Sequence, residues 1–144
     1  MTVENGLYKT ILVTLEISAA DETILAHIRP LAKLCGSKII LLHVADGWAA
    51  RQFGKDAVSR EVTEDTQYLE YHRARLASEG FDVEAELAFG EPSDEIVKWV
   101  RNKHCDLLAM STHGHKWLAD VFLGTTVHHV RHEVDVPLLL VRAK

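Results

Sequence analysis

The residues best suited to chemistry lie where one apolar run ends. The run from Leu107 to Met110 is followed by small, polar and glycine residues, and a second such group further along opens an amphipathic stretch. This order predicts a strand, a loop and a helix, a junction that points backbone N–H groups and the positive end of a helix dipole at one place. Such a place suits a phosphate. The candidate residues are Ser111, His113, Gly114, Gly124, Thr125 and Thr126.

Hydrophobic patterning predicts the elements that position this junction. Apolar runs rich in leucine and β-branched residues indicate buried strands, and apolar residues at helical spacing between them indicate helices. Five strands alternating with four helices are typical of right-handed crossovers in a doubly wound parallel α/β sheet with three layers. The predicted strands are Thr10 to Leu15, Lys38 to Val44, Phe81 to Leu87, Cys105 to Met110 and Val136 to Val141.

Two helices and one strand carry more detailed signals. The stretch Ser18 to Asp21 has the form of a capping box that starts the first helix. The stretch Ser59 to Glu79 is strongly charged and predicts a long, rather exposed helix. The strand from Phe81 to Leu87 alternates apolar and acidic residues, so we expect it at an edge of the sheet, where acidic side chains discourage further pairing.

At the glycine-containing junction, the sequence resembles the universal stress protein family. Nucleotide-binding members carry the motif Gly-x2-Gly-x9-Gly followed by Ser or Thr, and here it is Ser111-x2-Gly114-x9-Gly124-Thr125, with a serine in the place of the first glycine. The resemblance extends to Lys9 to Val13, Leu41 to Val44 and Val136 to Val141, and so covers nearly the whole chain. It implies one domain over 1–144, an adenine nucleotide alpha hydrolase-like fold and strand order 3-2-1-4-5.

With that strand order, the topological switch lies between the first and fourth strands, and their carboxyl ends form the predicted crevice. The resemblance implies ATP as the ligand, either alone or with Mg²⁺. It places Glu16 where family members have an aspartate near the ribose or a metal ion, and main chain at Val44 beside the adenine. The alternative without a ligand role is that the Glu16 side chain faces solvent near the start of the first helix and that the Val44 side chain is part of the core. The other residues expected at the crevice are Thr14, Leu15 and Met110.

The last strand forms the second predicted edge and is apolar. An unguarded apolar edge pairs readily with another chain, and a two-fold dimer with antiparallel last strands would cover it. Family members that dimerise through the last strand fit this expectation. The predicted homodimer contacts are Pro137, Leu138, Leu139, Leu140 and Val141.

Composition limits the other partners. The formal net charge of −5 argues against nucleic acid, which needs clustered basic residues. The sequence has neither a run long enough to span a membrane nor a signal peptide, which predicts a cytoplasmic protein.

Cys35 and Cys105 lack metal or redox spacing and are interpreted as buried thiols. His128 and His132 could share a metal, but no third ligand is identifiable.

The leading hypothesis is a homodimeric stress-response sensor or regulator that binds ATP and signals to an unknown protein partner. Without a Walker lysine motif or a carboxylate pair, and with His113 as the sole plausible base, ATP hydrolysis is expected to be slow at most. The alternative is a dimeric interaction module that has lost nucleotide binding, since Ser111 and Glu16 depart from the family pattern. A nucleotidyl transferase or flavoprotein on the same fold is a third possibility.

Overall fold

A computed structural model describes residues 6–45, 54–113 and 126–143, with only the backbone described at residues 55–57 and 113. Strands and helices alternate along the chain, as the sequence predicts. The elements are β1 (Thr10–Thr14), α1 (Ala20–Cys35), β2 (Lys38–Ala45), α2 (Lys55–Ser78), β3 (Asp82–Phe89), α3 (Pro92–Asn102), β4 (Leu107–His113), α4 (residues 126–133) and β5 (Leu138–Ala143).

The five strands form one parallel sheet in the order β3-β2-β1-β4-β5. The predicted α/β architecture and strand order are therefore confirmed. The central strand β1 pairs with β2 on one side and with β4 on the other, with Val13 opposite both Leu41 and Ala109. The chain order reverses between β1 and β4, so the topological switch lies where the sequence places it.

Helices cover both faces of the sheet, because alternate residues of each inner strand point to opposite sides. Ile11 and Val13 belong to a buried cluster with residues of α1 and α2, whereas Leu12 belongs to a second cluster with residues of α3 and α4. All three side chains are fully buried. This two-sided burial explains why the inner strands have continuous apolar sequences.

The two edge strands differ in polarity. Strand β3 lies at one edge, as its alternating sequence predicts, and its Glu84 forms ion pairs with Lys38 of β2 and with Lys103 beyond α3. Strand β5 lies at the other edge, and the Leu140 side chain is 44% exposed there. The described residues contain no helix that is both long and apolar enough to cross a membrane.

The structure corrects several predicted boundaries. Strand β4 runs to His113 and not only to Met110, because Ser111 and Thr112 pair with β5 residues Val141 and Arg142. Pairing with β5 decides this boundary, because Ser111 and Thr112 do not continue the apolar run from which the strand was predicted. Conversely, β5 starts after Pro137, which has no N–H to donate.

The start of α1 also differs from a standard capping box. The helix begins at Ala20, and Ala19 at the N-cap position makes no side-chain cap hydrogen bond. The Ser18 hydroxyl accepts a hydrogen bond from the Ala20 N–H at 3.2 Å, while the Asp21 carboxylate reaches back to the Ser18 N–H at 3.3 Å. Both side chains of the predicted capping box therefore accept hydrogen bonds. The serine accepts from the N–H of Ala20, and not from that of Asp21 as in a standard box.

Candidate functional site

The carboxyl ends of β1 and β4 bring three of the predicted site residues together. Thr14 and Met110 are the residues that follow the paired Val13 and Ala109, and Ser111 comes next on β4. All three side chains are at most 8% exposed. The switch point is thus lined at its base by small or apolar groups that neighbouring strands hold rigidly.

Leu15 contributes to the core and to the framework of the site. Its side chain belongs to the cluster under α1 and α2, its N–H donates to the Leu42 carbonyl at 2.8 Å, and its carbonyl accepts from His43 Nδ1 at 2.7 Å. Both backbone groups are therefore bonded inside the protein. Leu15 fixes where β1 ends, and the next residue, Glu16, is half-buried at the rim.

A buried carboxylate organises the turn between β1 and α1. Asp21 is fully buried and accepts hydrogen bonds from the N–H groups of Glu16 and Ile17, both at 2.9 Å, in addition to that of Ser18. The Tyr68 hydroxyl donates a fourth, at 2.7 Å. Successive N–H groups of this kind make an anion site, and here the protein's own carboxylate occupies it.

A second polar pair supports the end of β1 from α2. The His43 Nδ1–H donates to the Leu15 carbonyl, which leaves Nε2 pointing at Asp65, 3.7 Å from Oδ2. Burial raises the pKa of the Asp65 carboxyl above its usual range, and the nearby His43 offsets part of this increase. The folded protein therefore favours the protonated form of Asp65 more than the unfolded chain does.

This pKa shift gives a prediction for stability against pH. A raised folded-state pKa contributes stability at low pH that is lost as pH rises through it. Asp65→Asn removes this titration, so its free energy of unfolding relative to wild type is expected to increase from about pH 4 to about pH 8. Urea unfolding across this range measures the difference. Asp135→Asn, at an exposed residue beyond α4, should show no such trend, and a flat difference for Asp65→Asn would contradict the prediction.

Three of the predicted site residues, Val44, Ser111 and Thr126, are buried or half-buried. The Val44 side chain is half-buried against the α3 and α4 cluster, and the contact predicted between its main chain and adenine stays a prediction. Ser111 is 2% exposed, and its hydroxyl has no hydrogen-bond partner among the described residues. Thr126 is half-buried at the first described residue of α4.

The remaining predicted residues belong to the segment between β4 and α4. His113 ends β4, and its side chain lies outside the described part of the chain. Gly114, Gly124 and Thr125 lie wholly outside the described residues. The phosphate contacts predicted for these four residues therefore remain predictions.

The described residues offer no third metal ligand to the two paired histidines of α4. His128 and His132 have ring centroids 4.6 Å apart, and both side chains are exposed. Over residues 6–45, 54–112 and 126–143, no group of three or more His, Cys, Asp or Glu side chains could hold a metal ion. Cys35 and Cys105 are buried free thiols, and burial raises the pKa of Cys105 to about 11.

Helix α2 buries polar residues that were not predicted from the sequence. Asp65 and His72 are buried at helical spacing with Leu69 and Leu76, on the side of α2 that packs against the sheet. The available signal was this spacing, because a charged helix with polar residues on its apolar stripe indicates buried polar contacts. Tyr68 gives no such signal, since its position relative to Asp21 depends on the fold.

Comparison with known proteins gives the same fold and one family. The sequence model described as "Universal stress protein family" matches residues 7–142. The universal stress protein MJ0577 of Methanocaldococcus jannaschii is 26% identical to this chain, with 96% of this chain and 97% of that protein aligned. The solved structure of MJ0577 superposes with a TM-score of 0.82 over 95% of this chain and 97% of that chain.

Two further structures of similar fold contain nucleotides. The universal stress protein of Archaeoglobus fulgidus was solved in complex with dAMP, with a TM-score of 0.68, 18% identity and coverage of 92% of this chain and 97% of that chain. Another universal stress protein was solved in complex with cAMP, with a TM-score of 0.71, 20% identity and coverage of 95% and 98%. At these identities the likeness establishes the shared fold.

Proposed function

The chain belongs to the universal stress protein family, and from this premise we propose that it binds ATP at the carboxyl ends of β1 and β4 and acts as a homodimeric stress-response regulator. The topological switch between β1 and β4 carries the proposal, since open α/β sheets bind ligands in the crevice at such a point. The dAMP and cAMP complexes of proteins with this fold support an adenine nucleotide as the ligand.

The described residues suit the nucleoside end of the ligand. Glu16 is half-buried at the end of β1, where a carboxylate can accept a hydrogen bond from a ribose hydroxyl. The main chain at Val44, on the neighbouring strand β2, would meet the base. The buried Ser111 hydroxyl at the same crevice lacks a partner among the described residues, and an unpaired buried hydroxyl favours a bonding partner supplied by a ligand.

The phosphates would be held from the β4 side. The N–H groups of Glu16, Ile17 and Ser18 are bonded to Asp21, so these three amides of the β1–α1 turn are already occupied. We therefore assign the phosphates to Gly114, Gly124, Thr125 and Thr126, together with His113. The described residues contain no group of three or more His, Cys, Asp or Glu side chains that could hold a metal ion, so Mg²⁺ would be held mainly by the phosphates of ATP.

Binding is tested by titrating purified protein with ATP in a calorimeter and by mass spectrometry of any ligand released on denaturation. Glu16→Gln is expected to weaken ATP binding about tenfold, because a carboxylate acceptor forms a stronger hydrogen bond than a neutral amide. Glu22→Gln is the matched control, since Glu22 is exposed on α1 and pairs with Arg75 at the surface. Equal affinities for Glu16→Gln and wild type would remove Glu16 from the site.

A second function, a dimeric interaction module without nucleotide binding, is favoured by one observation. The Asp21 carboxylate fills the anion site of the β1–α1 turn, which a phosphate could otherwise use. This alternative would be favoured if the protein carried no co-purified nucleotide and also gave no heat of binding at about 1 mM ATP. A dissociation constant of that size corresponds to a binding free energy of only about 4 kcal/mol. Tight binding would exclude this alternative.

The homodimer is proposed to form through β5. The Pro137 carbonyl accepts from the Leu108 N–H at 3.1 Å, so Pro137, Leu139 and Val141 direct their backbone groups toward β4. Leu138 and Leu140 direct theirs outward, because both groups of one strand residue point to the same side. An antiparallel copy of β5 would pair with these outward groups and cover the exposed Leu140 side chain.

A further inference from the structure

We propose that Tyr68 of α2 is a positioning residue for the nucleotide site, acting through Asp21 to set the conformation of the turn that carries Glu16. The inference rests on the proposed function, because it assigns a role in ligand binding. It concerns a residue that packs beneath the turn, against the α1 and α2 cluster.

The turn is strained and needs a holding contact. Ile17 has a φ of 58°, and this left-handed conformation is unfavourable for a β-branched residue. Such strain persists only where surrounding contacts fix it, and it concentrates at ligand sites. The Ile17 N–H donates to Asp21 Oδ2, the same oxygen that accepts from Tyr68.

Tyr68 is fixed as a donor to this oxygen. Burial, and to a smaller extent the hydrogen bond to Asp21, raises the pKa of the Tyr68 hydroxyl far above its usual value, so the hydroxyl keeps its proton. On the other side, the ring packs edge-on against His72 with centroids 4.7 Å apart. His72 is 2% exposed and burial lowers its pKa, which favours a neutral ring at this contact.

The geometry links α2 to the ligand through three residues. Tyr68 orients the Asp21 carboxylate, the carboxylate holds the N–H groups of Glu16 and Ile17, and Glu16 stands at the crevice. Without the Tyr68 hydroxyl, Asp21 can rotate and the strained turn can relax. Glu16 would then lose the fixed orientation that lowers the entropic cost of binding.

Tyr68→Phe tests the link because it removes the hydroxyl and keeps the ring against His72. Tyr71→Phe is the matched control: Tyr71 also packs edge-on against His72, at 5.2 Å, but its side chain is 60% exposed. We expect the Kd for ATP to rise about tenfold in Tyr68→Phe, the size of one hydrogen bond to a charged acceptor. Tyr71→Phe should bind as wild type does.

Amide hydrogen exchange in the free proteins separates positioning from a general loss of stability. In Tyr68→Phe, the exchange rates of the Glu16, Ile17 and Ser18 amides should rise about tenfold more than those of Leu12 and Leu108 in the sheet, which report any change in global stability. Unchanged exchange at the turn would overturn the inference, and so would an equal rise in exchange rate at the turn and in the sheet. Faster exchange at the turn with an unchanged Kd would also overturn it. Absence of ATP binding by wild type would instead overturn the proposed function, and this inference with it.

Discussion

Asp21→Ala is expected to destabilise the free protein by about 4 kcal/mol, because three backbone N–H groups and one tyrosine hydroxyl lose their shared acceptor. Each buried donor left unpaired costs about 1–3 kcal/mol, reduced here where water can enter the cavity. The strained Ile17 adds to the loss, since its conformation depends on the same carboxylate. Urea unfolding followed by circular dichroism measures the change.

Two controls define what the Asp21 result means. Asp21→Asn keeps one acceptor oxygen and should lose about half as much stability. Glu22→Ala, one residue along α1, removes an exposed carboxylate and should change stability by less than about 0.5 kcal/mol. A loss below about 1 kcal/mol for Asp21→Ala would show that the turn does not depend on this side chain.

Leu140→Pro is expected to raise the dimer dissociation constant about 100-fold, because proline removes an outward N–H from the β5 edge in both protomers. The bonds between β4 and β5 remain, since Leu139 and Val141 face β4. Sedimentation equilibrium of wild type and variant at several concentrations measures the effect. Urea unfolding at matched protein concentration shows whether the variant chain still folds.

Leu140→Ala is the matched control for the backbone argument. It shortens the exposed side chain and keeps the N–H, so dimerisation should weaken far less than in Leu140→Pro. Equal weakening in both variants would mean that the leucine side chain, not edge pairing, holds the dimer. A monomeric wild type at all concentrations would remove β5 as the dimer interface.

Most of the fold could be predicted because the apolar patterns of the inner strands leave few arrangements. Continuous apolar runs such as Lys38–Ala45 need cover on both faces, and the alternating acidic pattern of Asp82–Phe89 suits an edge. Strand ends were less predictable. Ser111 and Thr112 have the composition of a loop, and their place in β4 depends on pairing with β5.

Part of the candidate site could likewise be predicted from the sequence, and part of it could not. The sequence predicted Thr14, Met110 and Ser111 at the switch point, because the apolar runs of the two central strands stop near these residues. It did not predict that Asp21 would occupy the anion site of the β1–α1 turn. A carboxylate in the first turn of a helix ordinarily caps that helix, and its additional bonds reach residues whose positions depend on the turn itself.

By itself, the sequence determined which stretches form strands and helices, since these follow from local periodicity. Its resemblance to the family implied the strand order, and with it the edge on which the apolar strand lies. Only the tertiary structure decided which polar groups meet. Tyr68 and Asp21 are 47 residues apart in the chain and become partners because α1 and α2 pack on the same face of the sheet. Contacts between distant polar residues depend on how whole elements pack, and periodicity within one element carries no information about them.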